Sequence, residues 1–288
     1  MKEIRTGGFR LINPLLDCYD LSPTRMRNMK QAESKIKDYI TEAKQDKKAV
    51  AVSVYFRDLN NGPWMGINED SVYSPASLLK VPVLIAALKQ SQQNAVYLSQ
   101  KVIFNPGKAN QFKANIVGEK HLVAGNTYTI KELMEHMIIY SDNDAQDLLT
   151  ENISRENYND VFLELGIDLS KYAPMDNFLS VKEYASYFRI LFNATYLNKD
   201  MSEQALALLS NTKYNNGVVA GVPEGTVVSH KFGERLFPDS NIRQLHDCGI
   251  VYKPNKPYLI CIMTRGYDFK KQEEIISSIS KIIYDSIE

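Results

Sequence analysis

Three short groups of residues have the types and spacing that covalent chemistry needs. Ser77 and Lys80 stand three apart in Ser-Leu-Leu-Lys. On a helix this spacing puts both side chains on one face, a turn apart, where the amine can take the hydroxyl proton and turn a weak alcohol into a nucleophile. The spacing alone carries little weight, because Ser34, Ser210 and Ser278 are also followed by a lysine at the same interval. Those three read as solvated helix faces. Ser77 differs in context, since it follows a proline-containing turn and opens a strongly apolar run. Ser141-Asp142-Asn143 occurs once, directly after an apolar helical run, where helix capping is the competing use. Lys231-Phe232-Gly233-Glu234 lies in an extended pattern, where an edge strand with an exposed lysine competes.

Elements that position these groups are legible in the hydrophobic periodicity. Met29, Ala32, Ile36, Tyr39, Ile40 and Ala43 recur at helical intervals and predict a helix from Thr24 to Lys47. Val50, Val52, Val54 and Phe56 alternate strictly, and Asn60-Asn61-Gly62-Pro63 then leads into a second extended run, Trp64 to Ile67; together they read as a hairpin. Ser77 to Lys89 is apolar on nearly every side, as a core-enclosed helix should be, with Pro82 in its first turns. Further helices are expected at Ile130–Ile139, Asp144–Leu149, Tyr158–Leu165, Val181–Phe192 and Ser202–Leu209, a region without strand signals. Strands return at Val227–Lys231, Cys248–Tyr252 and Tyr258–Thr264. A helix carrying Ile275, Ile276, Ile279, Ile282, Ile283 and Ile287 follows.

This order predicts an α/β (α+β) fold: an antiparallel sheet flanked by N- and C-terminal helices, plus an all-helical lobe, with a cleft between the two. The expected division is an irregular extension at 1–23, a sheet lobe at 24–70 and 213–288, and a helical lobe at 71–212, all forming one catalytic domain.

Composition narrows the partners. The chain has 288 residues, with 34 basic residues against 34 acidic ones, so no field of one sign is available to gather nucleic acid. The three cysteines, Cys18, Cys248 and Cys261, lack C-x-x-C spacing, and the four histidines fall at no metal-ligand spacing; neither metal nor cofactor is expected. Cys248 and Cys261 lie in apolar runs and are read as small buried hydrophobes. Cys18 follows the acidic Asp17, which suits lipoprotein processing badly, and is expected to be unmodified. No apolar stretch is long enough to span a bilayer, and the N-terminus lacks the regions of a signal peptide.

Taken in order, S-x-x-K, S-D-N and K-x-G form the signature set of class A β-lactamases and penicillin-binding proteins. The chain resembles this superfamily from roughly Ala49 onward. Thr129-Ile130-Lys131-Glu132-Leu133, Gly221-Val222-Pro223-Glu224-Gly225 and Asp247-Cys248-Gly249-Ile250-Val251-Tyr252 are similar to its usual phrasing. The resemblance implies that Ser77 attacks a carbonyl, Lys80 acts as base and Ser141 relays a proton to the departing nitrogen. Asn143 would bind the substrate's amide side chain. Lys231 would support Ser141 and supply positive potential for a substrate carboxylate, with Phe232 and Gly233 lining that strand. The backbone N–H groups of Ser77 and Glu234 would form the oxyanion hole, where losing one donor typically costs about 2.7 to 4 kcal/mol.

The sequence departs from the family at two places. Class A enzymes use an Ω-loop glutamate to activate the deacylating water. Here only 13 residues, 167 to 179, separate the flanking helices, and they contain no glutamate; Asp168 and Asp176 are the available carboxylates and read as turn residues. Phe232 stands where the family carries a threonine or serine, so the hydroxyl that helps hold a substrate carboxylate is missing and the strand beside the nucleophile is expected to be crowded. The expected function is therefore a class A-like β-lactamase with slow deacylation. The alternatives are a penicillin-binding D-Ala-D-Ala peptidase or transpeptidase, another serine esterase or amidase, and a non-catalytic cell-wall binding module. The expected partner is a small β-lactam or a peptidoglycan stem peptide, met by a monomer outside the cytoplasm.

Overall fold

The computed structural model describes residues 9–14, 23–60, 62–106, 116, 120–165 and 176–287. Cys18 and Asp168 lie outside them. A five-stranded antiparallel sheet runs in the order β2-β1-β9-β8-β7. Its strands are β1 (Ala51–Asp58), β2 (Trp64–Ile67), β7 (Val228–Phe237), β8 (Ile242–Val251) and β9 (Tyr258–Gly266). Period-two alternation divides their side chains between two cores. Val52, Val54, Phe56, Ile260 and Ile262 pack with Ile36 and Ile40 of α1 (Pro23–Gln45) and with Ile275, Ile276 and Ile279 of α8 (Phe269–Ser286). Tyr55, Leu259, Cys261 and Met263 face the opposite way, into the core of the helices between β2 and β7.

At the centre of that second core is α2 (Lys80–Gln93), buried without interruption from Lys80 to Leu88. Around it lie α3 (Ile130–Ile139), α4 (Asn143–Glu151), α5 (Arg155–Glu164), α6 (Val181–Phe192) and α7 (Lys199–Leu209). Capping boxes start two of them. Thr129 with Glu132 opens α3, and Ser180 with Glu183 opens α6, each pair satisfying orphan N–H groups reciprocally.

Three expectations need correction. The helix expected from Ser77 begins as a 3-10 turn, Ala76–Leu79, and becomes α-helical only at Lys80. Pro82 then falls in the first α-turn, where its missing N–H is harmless. Strands do occur in the region read as all-helical: β3 (Val72–Tyr73) pairs with β6 (Leu179–Ser180), and β4 (Lys101–Ile103) with β5 (Thr127–Thr129). Ribbons of two or three residues are too short to show alternation. Cys248 and Cys261 are a disulfide rather than two buried thiols, because they stand directly opposite each other in the β8–β9 register. Part of the N-terminal extension is anchored: the N–H groups of Arg10, Leu11 and Ile12 donate to the Glu203 carboxylate of α7 at 2.8–3.0 Å, and Leu11 and Ile12 are buried.

Candidate active site

The turn carrying Ser77 is fixed from the sheet side. Gln244 Oε1 on β8 accepts from Ser74 N at 2.9 Å, and the imidazole of His246 meets Ser74 O through Nε2 at 3.0 Å. His246 is held near a pKa of about 3 by burial, so it is neutral and donates through Nε2. Gly233 of β7 passes so close to the turn that a Cβ there would lie 2.9 Å from Pro75 O and 3.0 Å from Leu78 Cγ. Only glycine allows the edge strand to approach the nucleophile's backbone this closely. Ala76, just before Ser77, has φ 48°.

Lys80 is the first residue of α2 and is completely buried. Its Nζ donates to Ser77 Oγ at 2.8 Å and to Asn143 Oδ1 at 2.6 Å. Burial pushes its pKa down to about 8, against the opposing pull of the Asp142, Asp147 and Glu234 carboxylates. An amine so shifted is partly unprotonated near neutrality, as a general base requires.

The second pair forms between β7 and the residues that follow α3. Lys231 Nζ donates to Ser141 Oγ at 2.9 Å and to Phe232 O at 2.9 Å. Lys231 is also fully buried, and burial followed by the nearby Lys80 amine pulls its pKa well below the lysine range, with Asp247 acting in the opposite direction. Ser141 reaches this place through a left-handed backbone, φ 57°, between α3 and α4. Asp142 caps α4 by accepting from Asp144 N and Ala145 N, and its other oxygen accepts from Leu122 N at 2.9 Å. The capping use weighed for Ser-Asp-Asn thus belongs to Asp142, while Ser141 and Asn143 project to the two lysines.

The structure therefore brings Ser77, Lys80 and Asn143 into one hydrogen-bonded group and Ser141 and Lys231 into a second, joined through the 141–143 loop. Phe232 turns its ring into a stack on Tyr214, with centroids 4.2 Å apart, and packs there instead of crowding the turn of Ser77. Lys231 Nζ lies 4.1 Å from the Phe232 ring centroid. Glu234 Oε1 accepts from Ile116 N at 3.2 Å. Asp176 pairs with Arg235 of β7 at 2.9 Å.

Sequence reasoning missed Tyr214, Gln244, His246 and the pair His230–Asp247, in which Nδ1 and Oδ1 are 2.8 Å apart and both side chains are buried. Asp247 Oδ2 also accepts from Val218 N, and Gly217 packs against that carboxylate with no room for a Cβ. The available signal was the run Gln244-Leu245-His246-Asp247 inside a strand otherwise suited to burial, since buried polar residues need assigned partners.

The fold and this arrangement of two serines and two buried lysines define the serine acyl-enzyme class of penicillin-recognising proteins. The chain belongs to the β-lactamase enzyme family, whose model matches residues 31–287. A β-lactamase from Bacteroides uniformis is 25% identical over 285 residues, covering 91% of this chain and 93% of the relative. The TLA-1 extended-spectrum β-lactamase superposes with a TM-score of 0.75 at 21% identity, covering 90% and 98% of the two chains. A PBP-A variant, solved as an acyl-enzyme complex with penicillin G, superposes with a TM-score of 0.69 at 20% identity, covering 88% and 96%.

Proposed function

We propose that this protein is a serine hydrolase that opens β-lactams through an acyl-enzyme on Ser77 and releases the product slowly. The observation that carries the reading is the 2.8 Å contact between a fully buried Lys80 amine and Ser77 Oγ. In acylation, Ser77 Oγ bonds to the carbonyl carbon while its proton passes to Lys80. The carbonyl oxygen takes negative charge beside the backbone N–H groups of Ser77 and Glu234. When the C–N bond breaks, Ser141, held in place by Lys231, gives its proton to the nitrogen and is reprotonated from the lysine side, so the proton that Lys80 took from Ser77 ends on the leaving nitrogen. Asn143 serves twice, orienting Lys80 and offering its amide to the substrate.

Slow release rests on the 167–179 segment, which has no glutamate to activate water. A D-Ala-D-Ala peptidase reading uses the same five side chains and is favoured by the same missing glutamate. An extracytoplasmic location is part of the proposal, supported by the Cys248–Cys261 disulfide, since such bonds persist in oxidising compartments.

The test mixes the purified protein with a chromogenic cephalosporin and follows intact mass. A stoichiometric, lasting adduct on Ser77 is expected. Fast multiple turnover would overturn the slow-release part, and no adduct on Ser77 from any acylating probe would overturn the acyl-enzyme itself.

A further inference from the structure

We propose that the cleft selects acyl donors whose group beside the scissile bond carries no negative charge, with Phe232 and Tyr214 as the specificity-determining pair. The inference rests on the acyl-enzyme reading of Ser77. It starts from the surroundings of Lys231, the cation that β7 places next to the reacting groups. An ammonium has three N–H bonds to offer. Two go to Ser141 Oγ and Phe232 O, the Phe232 ring lies 4.1 Å from the nitrogen, and the residue has no exposed surface. At most one N–H is left for an arriving carboxylate, and the Phe232 ring lies beside it. Burial and the Lys80 amine also draw it toward its neutral form, which weakens any longer-range attraction.

What lies beyond Lys231 on the strand is unsuited to an anion. Phe232 offers no donor, and its ring is closed against Tyr214, whose hydroxyl is directed to Glu273 Oε1 at 3.2 Å. Glu234 adds a carboxylate whose field reaches Lys80 and which accepts from Ile116 N. The Arg235 guanidinium is paired with Asp176. A carboxylate placed along this strand meets a mostly buried aromatic pair that offers it no donor, and a like charge, and both oppose its desolvation. An ester or amide at that position has no charge to lose. The substrate class is therefore esterified β-lactams and neutral esters or amides.

The test compares benzylpenicillin with its methyl ester on the full-length protein. Acylation of Ser77 is timed by intact mass, and each rate is divided by that compound's rate with hydroxide to remove intrinsic reactivity. The ester is expected to be at least fivefold faster, and Phe232→Thr is expected to move the ratio about tenfold toward the acid. A wild-type ratio equal to one or favouring the acid overturns the inference without any variant, leaving the acyl-enzyme intact. If neither compound nor a fluorophosphonate labels Ser77, the acyl-enzyme reading fails and takes this inference with it.

Discussion

Asn143 Oδ1 accepts a 2.6 Å hydrogen bond from Lys80 Nζ, tying the start of α4 to the first turn of α2. The orientation of Lys80 toward Ser77 Oγ is therefore set from the helical lobe, while the position of Ser77 itself is set from the sheet through Gln244, His246 and Gly233. Hydrogen bonds to charged groups contribute about 1.5–3 kcal/mol. Asn143→Ala is expected to slow acylation roughly ten- to a hundredfold, since each 1.36 kcal/mol is about a factor of ten. Ser77→Ala should abolish the adduct altogether. Stopped-flow acylation with mass detection checks both, and an Asn143→Ala rate within twofold of wild type would contradict the dual role.

The pH dependence follows from Lys80. Its basic form accumulates as pH rises through about 8, so the acylation rate should climb along that limb. The Glu234 carboxylate raises this pKa by favouring the ammonium form. Glu234→Gln should therefore shift the limb to lower pH. A shift to higher pH, measured from single-turnover profiles, would assign the limb to another group.

Glu203 accepts from three successive backbone N–H groups of the N-terminal segment. Glu203→Ala leaves buried Leu11 N and Ile12 N without their acceptor and is expected to lower stability by about 1–3 kcal/mol. For a protein of this size that is roughly 2–5 °C in Tm. Calorimetry of the two proteins decides it, and an unchanged Tm would mean that the anchored segment contributes nothing.

Cys248 and Cys261 should be closed to reagents until reduced. Alkylation under denaturing, non-reducing conditions is expected to label only one of the three cysteines, Cys18, and reduction should bring the number to three. Three labels without reduction would exclude the bond.

Much of this was legible in the residues, and the reason differs by element. The limits of α3 and α6 are readable to the residue because Thr129…Glu132 and Ser180…Glu183 are capping boxes that mark a helix start chemically. β7 and β8 extend well past their apolar cores, to Phe237 and from Ile242, because a hairpin can continue on cross-strand pairing among polar residues. Ser77, Lys80, Ser141, Asn143 and Lys231 stand out because each sits in a short motif. Tyr214, Gln244 and His246 do not, since they meet the site only through sheet register and packing, which no local spacing encodes. The disulfide was hidden for the same reason: the 13-residue separation of its cysteines says nothing until β8 and β9 are aligned.

The pairing of β1 with β9 sets Val54 opposite Ile262. The central sheet thus joins stretches about two hundred residues apart, a long-range topology of the kind that folds slowly. A ribosome must deliver Tyr258–Gly266 before Ala51–Asp58 can gain the neighbour that lies beside it in the sheet. During synthesis the locally capped helices can form, but the nucleophile's platform, which depends on β7 and β8, is assembled only after those strands have emerged.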